Sequence, residues 1–212
     1  SDKWNTASVT DMSSMFQDAD RFNKDIGGWN TSKVTDMSSM FEDATLFDQD
    51  INTTAGSDKW NTANVTNMSS MFQGAVGFNK DIGDWNTASV TNMSSMFRVF
   101  PNDPDYNQWS IFDQNIGEWN TANVTDMGHM FHMAKFFNQD IGKWETSKVT
   151  NMSSMFQDAV YFNQNIGGWN TGAVKDMSSM FRVVDARGKH SAFDQNIGHW
   201  DTAKVTNMSK MF

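Results

Sequence analysis

Cysteine is absent from this chain, which removes disulfides, thiolate nucleophiles and Cys-type zinc sites in one step. Leucine occurs once, at Leu46, and proline twice, so a leucine-filled core is excluded. Positive charge is scarce: 16 Lys and Arg stand against 25 Asp and Glu, for a net charge of -9. A phosphate backbone needs a positive stripe, and none is present, so nucleic acid is not an expected partner. There is no apolar run of about 18 residues, the length needed to cross a bilayer as a helix, so no membrane insertion is expected. No signal peptide opens the chain. Neither a nucleophile, His and acid set nor a Gly-rich phosphate loop stands out, so the expectation is a protein that is not an enzyme and holds no cofactor.

What the chain does have is one stretch repeated eight times, typified by Trp29-Asn30-Thr31-Ser32-Lys33-Val34-Thr35-Asp36-Met37-Ser38-Ser39-Met40-Phe41. Tryptophan marks the register at Trp4, Trp29, Trp60, Trp85, Trp119, Trp144, Trp169 and Trp200, in steps of 25, 31, 25, 34, 25, 25 and 31 residues. A basic period of 25 residues belongs to architectures in which each repeat stacks only on its neighbours. Of the 17 Met, 16 fall in eight Met-x-x-Met pairs, so the methionine content is one motif repeated. The chain starts with Ser1-Asp2-Lys3-Trp4, which returns as Ser57-Asp58-Lys59-Trp60, and it stops at Met211-Phe212 inside a repeat. The expectation is a single array over 1–212 that is an excerpt of a longer one.

Within a repeat, 10–19 reads as a short helix, with Met12, Met15, Phe16 and Ala19 on one face at i, i+3, i+4 and i+7. Thr10 is placed as its N-cap, followed by an Asp or Asn in the first turn. Residues 22–26 read as a short extended segment closed by Gly27-Gly28, after which Trp29 begins the next unit. Alternating helix and strand predict an α/β repeat solenoid of about eight 25-residue units, with the strands in one parallel sheet on one side. One repeat alone buries too little to fold, so stability must come from stacking.

The string Phe-Asn-Gln-Asp-Ile-Gly-x-Trp followed by Val-Thr-Asp-Met-Ser-x-Met-Phe-x-x-Ala resembles the BspA-like leucine-rich-repeat surface proteins, including the mycoplasma-type 25-residue repeat of unknown function. The resemblance covers the chain outside its insertions. It implies a leucine-rich-repeat-like solenoid on a secreted or cell-surface protein, often linked to adhesion. It carries over no catalytic residue. The chain departs from ordinary leucine-rich repeats in using Met, Phe and Trp where those use Leu.

Three insertions interrupt the period, at 52–59, 98–111 and 182–192. The first is a polar loop. The other two lengthen the same junction, the five residues between the two Phe of a unit, to 14 and 11 residues, so both are expected on one edge of the array. Loops on a rigid scaffold are where recognition usually resides, which makes Tyr106, Trp109, Arg187 and His190 the candidate binding residues. The bland reading is that the loop aromatics cover their own loop.

Other columns have both readings. The rows Asn23, Asp48, Asn79, Asp113 and Asp25, Asp50, Asp81, Asn115 contain oxygen ligands of the kind Ca2+ prefers. Their mixture of Asn with Asp favours a ladder that satisfies backbone groups. The unbroken column Thr6, Thr31, Thr62, Thr87, Thr121, Thr146, Thr171 and Thr202 would suit an ice or crystal surface if exposed, but internal hydrogen bonding is the favoured reading. His129 and His132 stand at i, i+3 where other repeats carry Ser and Gln or Glu, and are expected to be solvent-facing histidines with no metal. Glycosylation sequons at Asn52, Asn64 and Asn123 are the ones a glycan would suit. The function expected is therefore an extracellular cell-surface scaffold for multivalent protein or glycan binding. A structural subunit of a filament or coat, associating with copies of itself, is the alternative, and a Ca2+- or ice-binding array is a second.

Overall fold

The computed structural model describes residues 4–52, 60–100, 109–184 and 190–212. Each repeat makes one turn of a coil, and successive coils stack in register. Parallel bridges join Asp11 to Asp36, Asp36 to Asn67, Asn67 to Asn92, and so on up to Asp176 with Asn207. From the bridge onward, alternate N–H groups reach the next coil. Met12, Ser14, Phe16 and Asp18 donate to the carbonyls of Asp36, Ser38, Met40 and Glu42, each at 2.9 Å.

The α/β repeat solenoid expected from the sequence is not what forms. Among the described residues there is no helix, and the only ladder elements are isolated bridges. Residues 10–19, read as a helix, are instead a run of linked β-turns: Met15 N–H donates to Met12 O at 3.4 Å, Gln17 to Ser14 O at 3.1 Å and Ala19 to Phe16 O at 3.1 Å. The first and third of these turns have a positive φ at their third residue, 54° at Ser14 and 58° at Asp18, as type II turns require. The corners return at intervals of three to four residues, which copies helical periodicity. Three physical reasons defeat the helix. A ten-residue segment is below the length at which isolated helices hold. The Ser-Ser pairs are mediocre helix formers. The neighbouring coil offers every second N–H a better-placed carbonyl than the local i to i-4 one. The expected parallel sheet over 22–26 is also absent; the ladder lies in the segment read as the helix.

At 22–26 the coils are joined through side chains. Asn23 Oδ1 accepts the N–H of Asp48 at 3.0 Å, Asp48 Oδ1 that of Asn79 at 3.0 Å, and Asn79 Oδ1 that of Asp113 at 3.0 Å, with Asn138, Asn163 and Asp194 continuing the series. The second Asn/Asp row closes turns within its own coil, as in Gly83 N–H to Asp81 Oδ1 at 2.8 Å. Either Asp or Asn serves, because only Oδ1 is used, which explains the mixture. In the bridge column the mixture matters more. Asn67 donates its amide to Asp36 Oδ2 at 3.1 Å and Asn151 to Asp126 Oδ1 at 3.0 Å, so an amide above a carboxylate replaces a repulsion with a hydrogen bond.

The core is three aromatic columns and two methionine columns running the length of the stack. Trp60, Trp85, Trp119, Trp144, Trp169 and Trp200 follow one another at 6.2 to 6.5 Å between ring centroids. Each also donates its indole N–H backward, as Trp85 does to Ile51 O at 3.0 Å and Trp119 to Ile82 O at 3.1 Å. Phe41, Phe72, Phe97, Phe131, Phe156 and Phe181 stack at 5.5 to 5.8 Å. The threonine column is inside from Thr6 to Thr171, with Thr202 in the last coil exposed: Thr31 and Thr62 are fully buried, and their hydroxyls donate to Asn61 O and Asn86 O, both at 3.0 Å. A buried column presents nothing to an ice surface.

Candidate functional site

The two long insertions rejoin the stack at the same place. Ile111 N–H donates to Val76 O at 3.3 Å, and Ala192 N–H to Val160 O at 3.1 Å; Val76 and Val160 both stand two residues before the second Phe of their units. Of the candidate residues, Tyr106 and Arg187 lie outside the described residues. Trp109 is half-buried, with the Lys135 ammonium 4.4 Å from its ring centroid. His190 is exposed. The structure therefore places Trp109 against Lys135 at the surface.

That surface was missed from the sequence. The residue immediately before the second Phe varies between repeats: Arg21, Leu46, Gly77, Ile111, Phe136, Tyr161, Ala192. The second Phe turns inward, so by alternation its predecessor turns out. Leu46, Ile111, Phe136 and Tyr161 are 58, 46, 42 and 50% exposed; Ile111, Phe136 and Tyr161 follow one another in successive coils on the insertion-bearing edge, and Leu46 is set apart from them by Gly77. Phe136 and Tyr161 stack with centroids 5.9 Å apart, and Lys135 Nζ lies 5.4 Å from the Phe136 centroid. Beside the row run carboxamides. Asn138 and Asn163 stand two residues beyond Phe136 and Tyr161, and Gln164 Nε2 reaches Asn138 Oδ1 at 3.1 Å while Gln139 Nε2 reaches Asp113 O at 3.0 Å. The same flanking column carries carboxylates at Asp48, Asp113 and Asp194, with Lys80 paired to Asp48 at 2.9 Å. The signal for this row was available in the sequence as a variable position, between fixed ones, filled by large apolar side chains.

A second cluster joins two coils behind the 98–111 insertion. Arg98 Nε, His129 Nδ1 and His132 Nδ1 are buried and have no hydrogen-bond partner among the described residues. His132 is 8% exposed, against the expectation of a solvent-facing side chain. Its position carries Gln73 in another coil, 5% exposed, because the coils above and below cover it. Burial first, then the Arg98 guanidinium and His129, push the His132 imidazole down to about 3. His129 is lowered by burial and by Arg98, against the opposing pull of Asp126 and Asp176. Asp158 Oδ2 is 3.9 Å from His132 Nε2. Both imidazoles are neutral at pH 7.

Among the described residues no group of three or more His, Asp or Glu is arranged to hold a metal ion, and no helix is long and apolar enough to cross a membrane. The sequon amides are engaged within the stack: Asn64 Nδ2 donates to Ser32 O at 2.7 Å and Asn123 Nδ2 to Ala88 O at 2.8 Å. Asn52 Nδ2 donates to Asp84 Oδ2 at 3.3 Å.

Stacked coils of one repeated unit, joined by side-chain ladders and carrying a variable row on one edge, define a tandem-repeat protein. The family described as Mycoplasma protein of unknown function, DUF285, matches residues 1–58, 54–111 and 103–212. The chain belongs to that family. No curated protein and no solved structure is significantly similar to it.

Proposed function

We propose that this chain is a non-catalytic repeat scaffold of the cell surface or extracellular space, of the BspA-like kind, that binds protein or glycan multivalently through its insertion-bearing edge. The observation that carries the reading is the apolar row Ile111, Phe136 and Tyr161, exposed in successive coils that are joined by coil-to-coil hydrogen bonding. Exposed apolar side chains aligned in one row, beside Trp109, have a contact function more often than scattered ones. A rigid stack also presents many weak contacts at fixed spacing, so each added contact benefits from the high effective concentration set by the first.

The test is saturable binding of the labelled chain to intact cells and to immobilised extracellular proteins and glycans, with Trp109→Ala and Phe136→Ala variants in parallel. Binding that the variants weaken without loss of fold supports the scaffold reading, and its absence on every surface sinks it. The alternative is a structural subunit of a filament or coat, in which the same row is buried against another copy of the chain. Light scattering separates the two: a mass near 24.0 kDa favours the binding scaffold, and large assemblies favour the structural subunit.

A further inference from the structure

We propose that His129 and His132 form a site for one transition-metal ion of the kind imidazole takes, zinc or copper, held between their Nδ1 atoms. The backbone sets the pair. The two residues open and close one turn, with His132 N–H donating to His129 O at 3.0 Å, and the first and fourth residues of a turn have Cα atoms within about 7 Å. The side chains come together as well, with ring centroids 5.7 Å apart. An ion about 2.0 Å from each coordinating nitrogen brings the two ring centroids to roughly 5 to 6 Å, over coordination angles from tetrahedral to linear. The observed separation falls in that window.

Both Nδ1 atoms are buried and have no hydrogen-bond partner among the described residues. Buried polar atoms are nearly always satisfied, and one shared ion engages both at once. The far side of His132 fits the same reading. Asp158 Oδ2 is 3.9 Å from its Nε2, the nitrogen that an ion at Nδ1 leaves free. Imidazole ligands commonly turn that second nitrogen to a carboxylate, which orients the ring and keeps the first as the lone-pair atom. Charge decides between a cation and an anion. The Arg98 guanidinium opposes a cation, but the carboxylates of Asp126, Asp158 and Asp176 act on the pair in its favour, three against one. No third His, Asp or Glu joins the pair among the described residues, so water fills the other positions on the ion. Such a water also gives the buried Arg98 Nε–H, unpartnered among the described residues, an acceptor. Two nitrogen donors do not suit Ca2+, which takes oxygen ligands. Neighbouring coils carry Ser with Gln at these positions, as in Ser70 with Gln73 and Ser154 with Gln157.

Isothermal titration of the full chain at pH 7, after treatment with EDTA, tests this with zinc chloride and copper sulfate, and with calcium chloride and sodium sulfate as controls. Zinc or copper should bind at one ion per chain, and calcium and sulfate should not bind. His129→Ser and His132→Gln install the residues that other coils carry, so both variants should remain folded in EDTA by tryptophan fluorescence. Each should weaken metal binding by more than about tenfold, the cost of losing even an outer partner of a ligand. His190→Gln with His199→Gln, which removes the other two of the four histidines, should bind as the parent does. In the zinc complex, the imidazole 15N signals that move most should be the Nδ1 atoms of His129 and His132. That readout needs no variant, so it decides even if a substitution unfolds the chain. Binding of neither metal, full binding in both single variants, loss in the His190 and His199 double variant, movement of Nε2 in place of Nδ1, or binding of sulfate in place of metal overturns the proposal.

Discussion

Thr31→Val isolates the contribution of the buried threonine column to stacking. The two side chains have nearly the same shape, so packing around the fully buried Thr31 should survive. What is lost is a two-way contact with the next coil: the Thr31 hydroxyl donates to Asn61 O at 3.0 Å and accepts Asn61 N–H at 2.7 Å. Both backbone groups of Asn61 at that point would face a methyl group. Leaving a buried donor or acceptor unsatisfied costs about 1–3 kcal/mol each, and two on one residue share relaxation, so a loss of about 2–4 kcal/mol is expected. Thr35→Val is the internal control. Thr35 is exposed and its hydroxyl donates to Thr10 O at 3.2 Å, where water can replace it, so the loss should stay within about 1 kcal/mol. Urea unfolding followed by tryptophan fluorescence measures both, and an unchanged slope with denaturant would show that the same surface is exposed in each case. Equal losses in the two variants would refute the reasoning, because they would mean that burial of the hydroxyl does not govern its value.

Further outcomes follow from the same geometry. His132 has its folded pKa pushed down to about 3 from an ordinary 6.5, so its neutral form contributes stability that is complete above about pH 6.5 and is lost as pH falls toward about 3. The full loss is on the order of 4 kcal/mol. His132→Gln, the residue found at the equivalent Gln73 and Gln157, should flatten that part of the acid unfolding profile; an unchanged profile would remove His132 as its source. Gly83→Ala places a Cβ 2.8 Å from Asn115 O of the next coil, a backbone contact that must shift, and should cost about 1–3 kcal/mol in urea unfolding. Asn67→Asp sets a second carboxylate against Asp36, whose Oδ2 now accepts the Asn67 amide at 3.1 Å. It should lower thermal stability at low salt through like-charge repulsion, with added salt narrowing the gap to the parent; a loss independent of salt would implicate packing instead.

The repeat, its register and the inward set of Trp, Val, Met and Phe were legible because the same pattern occurs eight times and chance cannot place so many large apolar side chains in phase. The common edge for the two long insertions was legible for the same reason, and the matched rungs of Ile111 and Ala192 follow from it. The secondary structure was not legible from spacing alone. Met12, Met15, Phe16 and Ala19 mark the starts and ends of the first and third of three overlapping turns, and corners three to four residues apart give the same inward pattern as a helix turning every 3.6. What separates the two is where the N–H groups go, and that depends on the neighbouring coil. The binding edge was hidden for the opposite reason: Leu46, Phe136 and Tyr161 share a position whose residue type changes from coil to coil, so no column of identical letters draws attention to it. His132 failed the usual inference from Gln or Glu to exposure because stacking buries polar side chains from above and below without any change in their own coil. In a stacked array, then, period identifies the core, while exposure is decided between repeats. Tyr161→Ala bears on that distinction directly, since the Tyr161 side chain has neighbours in the stack and yet stands half exposed: losing it should change what the surface binds and leave the stack intact.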